Sequence, residues 1–324
     1  MQIGNIKIDV PVALAPMAGI TDLPYRIICR EQGCGITVSE MVSAKGLLYK
    51  NVKTFDMLRI ADSERPTAIQ LFGSSPDDLA KAAKIIEDSG ADMVDFNMGG
   101  PVHKIVANGE GSALMKKPQL AYEILAAMVD AVNIPVTVKF RAGWDHEHLN
   151  APEIAALAEK AGVAAVAVHG RTREQFYSGN ADWDIIKQVK LSVRIPVFGN
   201  GDIRNVADGL RMLKETKCDG IMIGRGADCN PWIFAELRAA LQGENVPAGV
   251  TIATRFAMIQ RHLQDLIKFK GETIALKEMR RHVNMYLKSL PKAAAFRAKF
   301  NKMETYEDFI YLLDEYRRQL LEKH

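Results

Sequence analysis

The 324-residue chain is poor in cysteine: the four it has, Cys29, Cys34, Cys218 and Cys229, include no second close pair. That spacing argues against zinc ribbons and iron–sulfur clusters, which need repeated pairs, so the thiols are read as reduced packing residues and no metal site is expected. Also missing is any apolar run of the ~18 residues that a membrane-crossing helix needs. The opening stretch MQIGNIKIDVPVALAPMAG carries charges and a proline where a secretory leader requires an unbroken apolar segment. These absences leave a soluble cytoplasmic protein as the expectation. A strong net charge is lacking too, with 42 Lys and Arg against 39 Asp and Glu.

The distribution of charge says more than its total. Residues 251–324 hold 15 basic and 9 acidic side chains, whereas residues 1–250 hold 27 and 30. Between Arg261 and Lys302 the ratio reaches 11 to 3, more lopsided than a solvated helix face requires, and a polyanion partner for the tail follows.

What is abundant is short, apolar, β-branched segments, and the 48% hydrophobic composition can fill a sizeable core. Eight such segments occur in the first 225 residues: VALAP, GITVSE, TAIQLFG, DMVDFNM, PVTVKF, VAAVAVHG, IPVFGN and CDGIMIGR. Helix-period stretches separate most of them. In SPDDLAKAAKIIEDSG, Ser75 suits the cap, Pro76 the first turn, and Leu79, Ala82, Ala83 and Ile86 fall on one face. The alternation fits a (β/α)8 TIM barrel, whose parallel strands are buried on both sides, or a doubly wound open sheet. Polar residues decide for the barrel, because seven of the eight segments end in them and a barrel gathers those ends at one mouth. They are Ser39 and Glu40, Gln70, Asn97, Lys139 with Arg141, His169, Asn200 with Asp202, and Arg225.

The catalytic barrel is placed at residues 1–242 and a linker at 243–250, where Gly243, Pro247 and Gly249 interrupt the apolar pattern. A small all-helical domain is expected over 251–324. In KEMRRHVNMYLKSLP, Met279, Val283, Tyr286, Leu287 and Leu290 form a stripe that leaves out Arg280, Arg281 and Lys288, with Pro291 as the stop.

Two chemical signals stand at the expected mouth. The segments FGNGDI and MIGRGA end strands seven and eight in glycine turns, the habitual phosphate site of this barrel, with Arg225 adding charge. Lys139 lies deep in VTVKF, where a buried ammonium requires an anion. That anion is either a flavin ring or an internal carboxylate, Glu40 or Asp95. His169 on the rim suits a structural hydrogen bond or a ligand contact equally.

The segments LAPMAGITDLPYR, QLFG, DFNMGGPVHKIVANGEGSALMKKP, VTVKFRAGW, AVHGRTREQFYSG, PVFGNGDI and IGRGADCNPWIF, in that order, resemble the tRNA-dihydrouridine synthases, the bacterial B-type branch in particular. The tail is similar to that family's C-terminal helical domain. The resemblance implies an FMN enzyme, monomeric, that passes hydride from NADPH to a uridine in tRNA. It places Pro16, Met17, Ala18, Gln70, Lys139 and His169 around the flavin, and Asn200, Gly201, Asp202, Gly224 and Arg225 at its phosphate. It sets Asn97 and Arg141 against the flipped uracil or its phosphate, and Arg280 and Arg281 on the RNA backbone.

One position departs from the family pattern. Where the family has a proton-donating cysteine in Asn-Met-Gly-Cys-Pro, this chain has Gly100. Three readings are open. Gly100 is an introduced substitution that traps or disables the enzyme; or it is natural and water or His103, three residues on, supplies the proton; or the scaffold serves another flavin-dependent RNA modification, such as reductive methylation. An RNA-binding protein with a vestigial flavin is the alternative of another class.

Overall fold

A computed structural model describes residues 1–322. Eight parallel strands form the barrel: β1 (Val12–Leu14), β2 (Thr37–Ser43), β3 (Thr67–Phe72), β4 (Met93–Met98), β5 (Val136–Arg141), β6 (Ala165–His169), β7 (Val197–Asn200) and β8 (Gly220–Ile223). Each pairs with its successor from β2 onward, β8 pairs with β1, and a bridge between Ala13 and Ile36 brings β1 to β2. The ring is thereby closed, and the TIM barrel expected from the sequence is what the chain forms.

Strand alternation decides what the ring encloses. In β5, Val136, Val138 and Phe140 point out into the layer beneath the surrounding helices, whereas Thr137, Lys139 and Arg141 take the other face. The same period puts Ala13, Ala68, Ala165, Ala167, Phe198 and Met222 in an inner core. Apolar residues, several of them alanines, therefore fill the lower part of the ring and polar ones its C-terminal rim. A two-stranded hairpin, Gln2–Ile3 with Ile6–Lys7, lies at the opposite end, its Ile3 packed into that inner core with Ile8 beside it and its Gly4 against Pro135 just ahead of β5.

The helix Pro76–Asp88 shows why local sequence suffices for the outer layer. Ser75 accepts from the Asp78 amide, Pro76 occupies the first turn, and Leu79, Ala82, Ala83 and Ile86 are the buried face.

Past the last barrel helix, Trp232–Gln242, residues 244–250 carry no helix or strand. Four helices follow: Ile252–Lys270, Glu272–Tyr286, Ala293–Phe300 and Tyr306–Leu321. Pro291 is not where the second of them stops. That helix ends at Tyr286 because Leu287 turns into the core and the chain then reverses through left-handed Ser289 and Lys292. The helical core includes Ile28, Cys229 and Trp232 from the barrel side. Burying side chains of the size of Ile28 and Trp232 contributes about 2–3 kcal/mol each. Ion pairs from Lys270 to Asp22 (2.7 Å) and from Arg281 to Asp228 (2.9 Å) flank this seam. Among the described residues no helix is long and apolar enough to cross a membrane.

Candidate active site at the barrel mouth

Register brings the expected polar residues side by side. Gln70 stands opposite Asp95, Asn97 opposite Lys139, and Arg141, His169 and Asn200 follow one another across three strands. In a parallel ladder, partners in register share a face, so all of these look into the mouth.

On one side a hydrogen-bonded chain forms. Gln70 donates to Asp95 (2.7 Å) and accepts from Asn97 Nδ2 (2.8 Å). Asp95 also accepts from Thr137 (2.6 Å), and burial holds its carboxyl above the usual range. Asn97 Oδ1 accepts from the amides of Gly99 (3.1 Å) and Gly100 (2.8 Å), so the side chain expected to meet substrate also pins the turn after β4. A Cβ placed on Gly100 would lie 3.2 Å from that Oδ1. His103 opens the helix His103–Ala107 and is exposed.

On the other side positive charge gathers. Among the described residues the Lys139 ammonium forms no ion pair; Asp95 spends its oxygens on Thr137 and Gln70, and Glu40 accepts from the Gly19 amide. Burial, with Arg141 nearby, lowers Lys139 to about 8. Burial first, then Lys139, Arg141, Arg171 and Arg225, holds the imidazole of His169 well below its usual value, hence neutral. Arg141 is brought down to about 10 by burial. It is a clasp: Nε donates to Gly99 O (2.8 Å), and Nη1 to Thr172 O (2.9 Å) and Phe176 O (3.0 Å), tying the loops after β4 and β6 together.

The last two strands end in tight glycine turns. Gly201 has φ +127, and a Cβ there would meet Ala181 Cβ at 2.6 Å, so no larger residue fits. Gly226 is as tightly held, its Cβ position 2.1 Å from Ile203 O. Asn200 donates to Met222 O (2.7 Å), fixing β7 to β8. Gly224 has only Ala15 and Met17 near its open side, 3.7 and 3.8 Å from a Cβ, which sets the Pro16–Met17–Ala18 turn beside the β8 loop.

Asp202 does not face the mouth as a lone acid. It pairs with Arg171 (2.8 Å), lies 3.5 Å from Arg225, and accepts from the Ala181 amide (2.7 Å). Arg171 is a site residue that sequence reasoning does not single out. It is almost wholly buried, two residues past the end of β6, and its Nη1 has no protein partner. The only available signal is a charge directly after His169 and Gly170. Arg225 remains half exposed and lies over the Tyr177 ring at 4.6 Å.

A groove of about 500 Å³ lies apart from this cationic pocket. It runs between the barrel and the helical domain, lined by Asp22, Glu40, Lys53, Arg59, Lys270 and Glu278 among others, and Glu40 joins it to the mouth. Of the tail residues expected on RNA, Arg280 donates to Met303 O (3.2 Å) and Arg281 is engaged by Asp228.

A family profile described as Dihydrouridine synthase (Dus) matches residues 13–322. The chain is 41% identical over 317 residues to the tRNA-dihydrouridine synthase B of Xanthomonas axonopodis pv. citri, covering 98% of this chain and 95% of that protein. It is 40% identical over 324 residues to tRNA-dihydrouridine synthase B of Proteus vulgaris, covering all of both. A probable tRNA-dihydrouridine synthase of Rickettsia conorii is 42% identical, over 94% of this chain and 92% of that protein. Among solved structures, histamine dehydrogenase from Rhizobium sp. 4-9 shares the fold, with TM-score 0.58 and 15% identity, over 82% of this chain and 50% of that one. Profile and relatives span the barrel and the helical tail alike, and the chain belongs to the dihydrouridine synthase family.

Proposed function

We propose that the protein is an FMN-dependent oxidoreductase that acts, as a cytoplasmic monomer, on a uridine of tRNA, with NADPH as reductant. The observation that carries this reading is the charge balance at the mouth. Lys139, Arg141, Arg171 and Arg225 converge on the ends of β5 to β8, and Asp202 is the one carboxylate ion-paired within that set. Such a pocket fits an anionic group, and the unpartnered Nη1 of Arg171 fits a phosphate oxygen.

In this assignment the turns at Gly201 and Gly224 and the side chain of Arg225 receive the phosphate, with Asp202 holding Arg171 and Arg225 in place. Pro16, Met17 and Ala18 line one edge of the ring, Gln70 offers its amide, and Lys139 stands where negative charge accumulates. His169, neutral, packs beside the ring as a hydrogen-bonding group. Bound FMN supplies the hydride chemistry. Asn97 and the clasp of Arg141 shape the place for an extruded uracil. Gly100 offers no acid there, so the proton comes from water or from His103. Arg280, Arg281 and the lysines near them draw in the RNA backbone.

The test is to mix the purified protein, NADPH and unmodified tRNA without oxygen, follow flavin absorbance, and digest the RNA for nucleoside mass spectrometry. Flavin reoxidation by tRNA with a gain of two hydrogens on uridine supports the reading. A methyl gain, or no flavin bound, overturns it. Retention of the product in His103→Ala assigns the proton to water.

A further inference from the structure

Away from the mouth, the fold assembles a set of metal-ligating atoms that no short sequence motif announces. Asp228 and Cys229 lie in the turn after the 3-10 segment Arg225–Ala227 that follows β8, while His282 is inside the helix Glu272–Tyr286. Docking of the helical domain brings Cys229 Sγ to 3.5 Å from His282 Nδ1. With a carboxylate oxygen of Asp228, the three ligand atoms all lie within 4.8 Å of one another. Cys229 and His282 are buried, at 4% and 1% exposure, and Asp228, a half-buried residue, turns its side chain inward.

We propose that Asp228, Cys229 and His282 form a transition-metal site, for Zn²⁺ or a similar divalent ion, that clips the helical domain to the barrel. The separation is the one such an ion requires. Tetrahedral zinc with Zn–S near ~2.3 Å and Zn–N near ~2.0 Å places sulfur and nitrogen roughly 3.5 Å apart. Sulfur, imidazole and a single carboxylate are a borderline-soft donor set, which selects zinc-like ions and disfavours Mg²⁺ and Ca²⁺ with their all-oxygen shells.

Neighbouring groups support a ligand role. Arg281 holds Asp228 through Nη2 at 2.9 Å, orienting the carboxylate and balancing charge, as outer partners of metal ligands do. His262, fully buried with its ring centroid 4.6 Å from that of His282, faces the Tyr286 hydroxyl through Nδ1 at 3.2 Å and has no protein partner for Nε2. The seam thus holds more nitrogen donors than its hydrogen bonds use. Cys229 itself adopts left-handed backbone (φ +55), which a cysteine takes against its local preference. On binding, the thiol proton passes to water, the thiolate, imidazole and carboxylate bond the ion, and a water completes the tetrahedron.

The probe is Co²⁺ alone, added to the untagged full-length chain after dialysis against chelator. The expected result is one equivalent bound, with a thiolate-to-cobalt charge-transfer band and tetrahedral d–d bands. Both are lost in Cys229→Ser and in His282→Asn and kept in Cys218→Ser, whose thiol is buried elsewhere. X-ray absorption of the Zn²⁺-loaded unmodified chain, which depends on no variant's folding, should show one sulfur neighbour. Absence of the charge-transfer band, its survival in Cys229→Ser, or zinc with only nitrogen and oxygen neighbours overturns the assignment.

Discussion

Gly100 differs from a cysteine by a single CH₂SH group, and the backbone accommodates the difference. Its φ lies outside the left-handed region, and the one near neighbour of a Cβ is the Asn97 amide, which can shift by a few tenths of an ångström. Gly100→Cys is therefore expected to fold and, if the acid is all that is missing, to raise uridine reduction by about 10²–10⁴-fold. Nucleoside mass spectrometry of treated tRNA reads this, and an unchanged rate would refute the lost-acid account. Lys139 gives a second residue-level prediction. Its folded pKa, about 8, lies below the unfolded value of 10.5, so the unfolded chain binds more protons between these two values. The free protein should gain stability as pH rises through that window, since the cost of a buried charge is relieved. An anionic ligand lifts the pKa and reverses the trend, so FMN affinity should fall as pH climbs past about 8. Lys139→Met should flatten both profiles, measured by thermal melts and FMN titration; parallel profiles for parent and variant would remove the lysine from the site. The burial of Lys139 is legible in VTVKF, because alternation allots position 139 to the inner face. The partners of Asp202 are not, since they arrive from the loops after other strands.

Strands and loops carry the next level of prediction. The eight strands are readable because parallel strands buried on both sides appear as continuous apolar runs, and Ser75 with Pro76 marks a helix start through capping chemistry alone. The N-terminal hairpin is not, as two residues per strand leave no periodicity to see. The Arg141 clasp is equally hidden: VTVKFRAGW shows a charge at a strand end but not the three carbonyls from two other loops that receive it. Arg141→Lys keeps the charge and loses the planar fork. The expected loss is about 2 kcal/mol, seen as a fall in Tm of roughly 5 °C. Faster amide exchange at Gly99–Gly100 and in the 172–176 loop should accompany it. If melting and exchange both stay as in the parent, the loops are held by something else.

At the scale of the whole molecule, the excess of basic residues in the tail is plain from counting, but which of them face solvent depends on the seam. Arg280 and Arg281 have partners within the protein, whereas Lys277, Lys288, Lys292 and Lys302 are exposed and, among the described residues, outside any ion pair. Replacing Lys288 and Lys292 with Gln should weaken tRNA binding and make the slope of log K against log salt shallower by about one for each phosphate no longer neutralised. Equal slopes would assign RNA binding to another face. The seam cluster is invisible in the sequence for a related reason: Cys229 and His282 are 53 positions apart, and only docking of the helices joins them. The hairpin that seals the far end of the barrel has a kinetic meaning. With Ile3 and Ile8 packed into that end of the ring, the nicotinamide and the uridine of the proposed function would both arrive from the mouth side. If they compete for the same place there, the two half-reactions alternate, the first product leaving before the second substrate enters, and each reactant at high concentration obstructs the other.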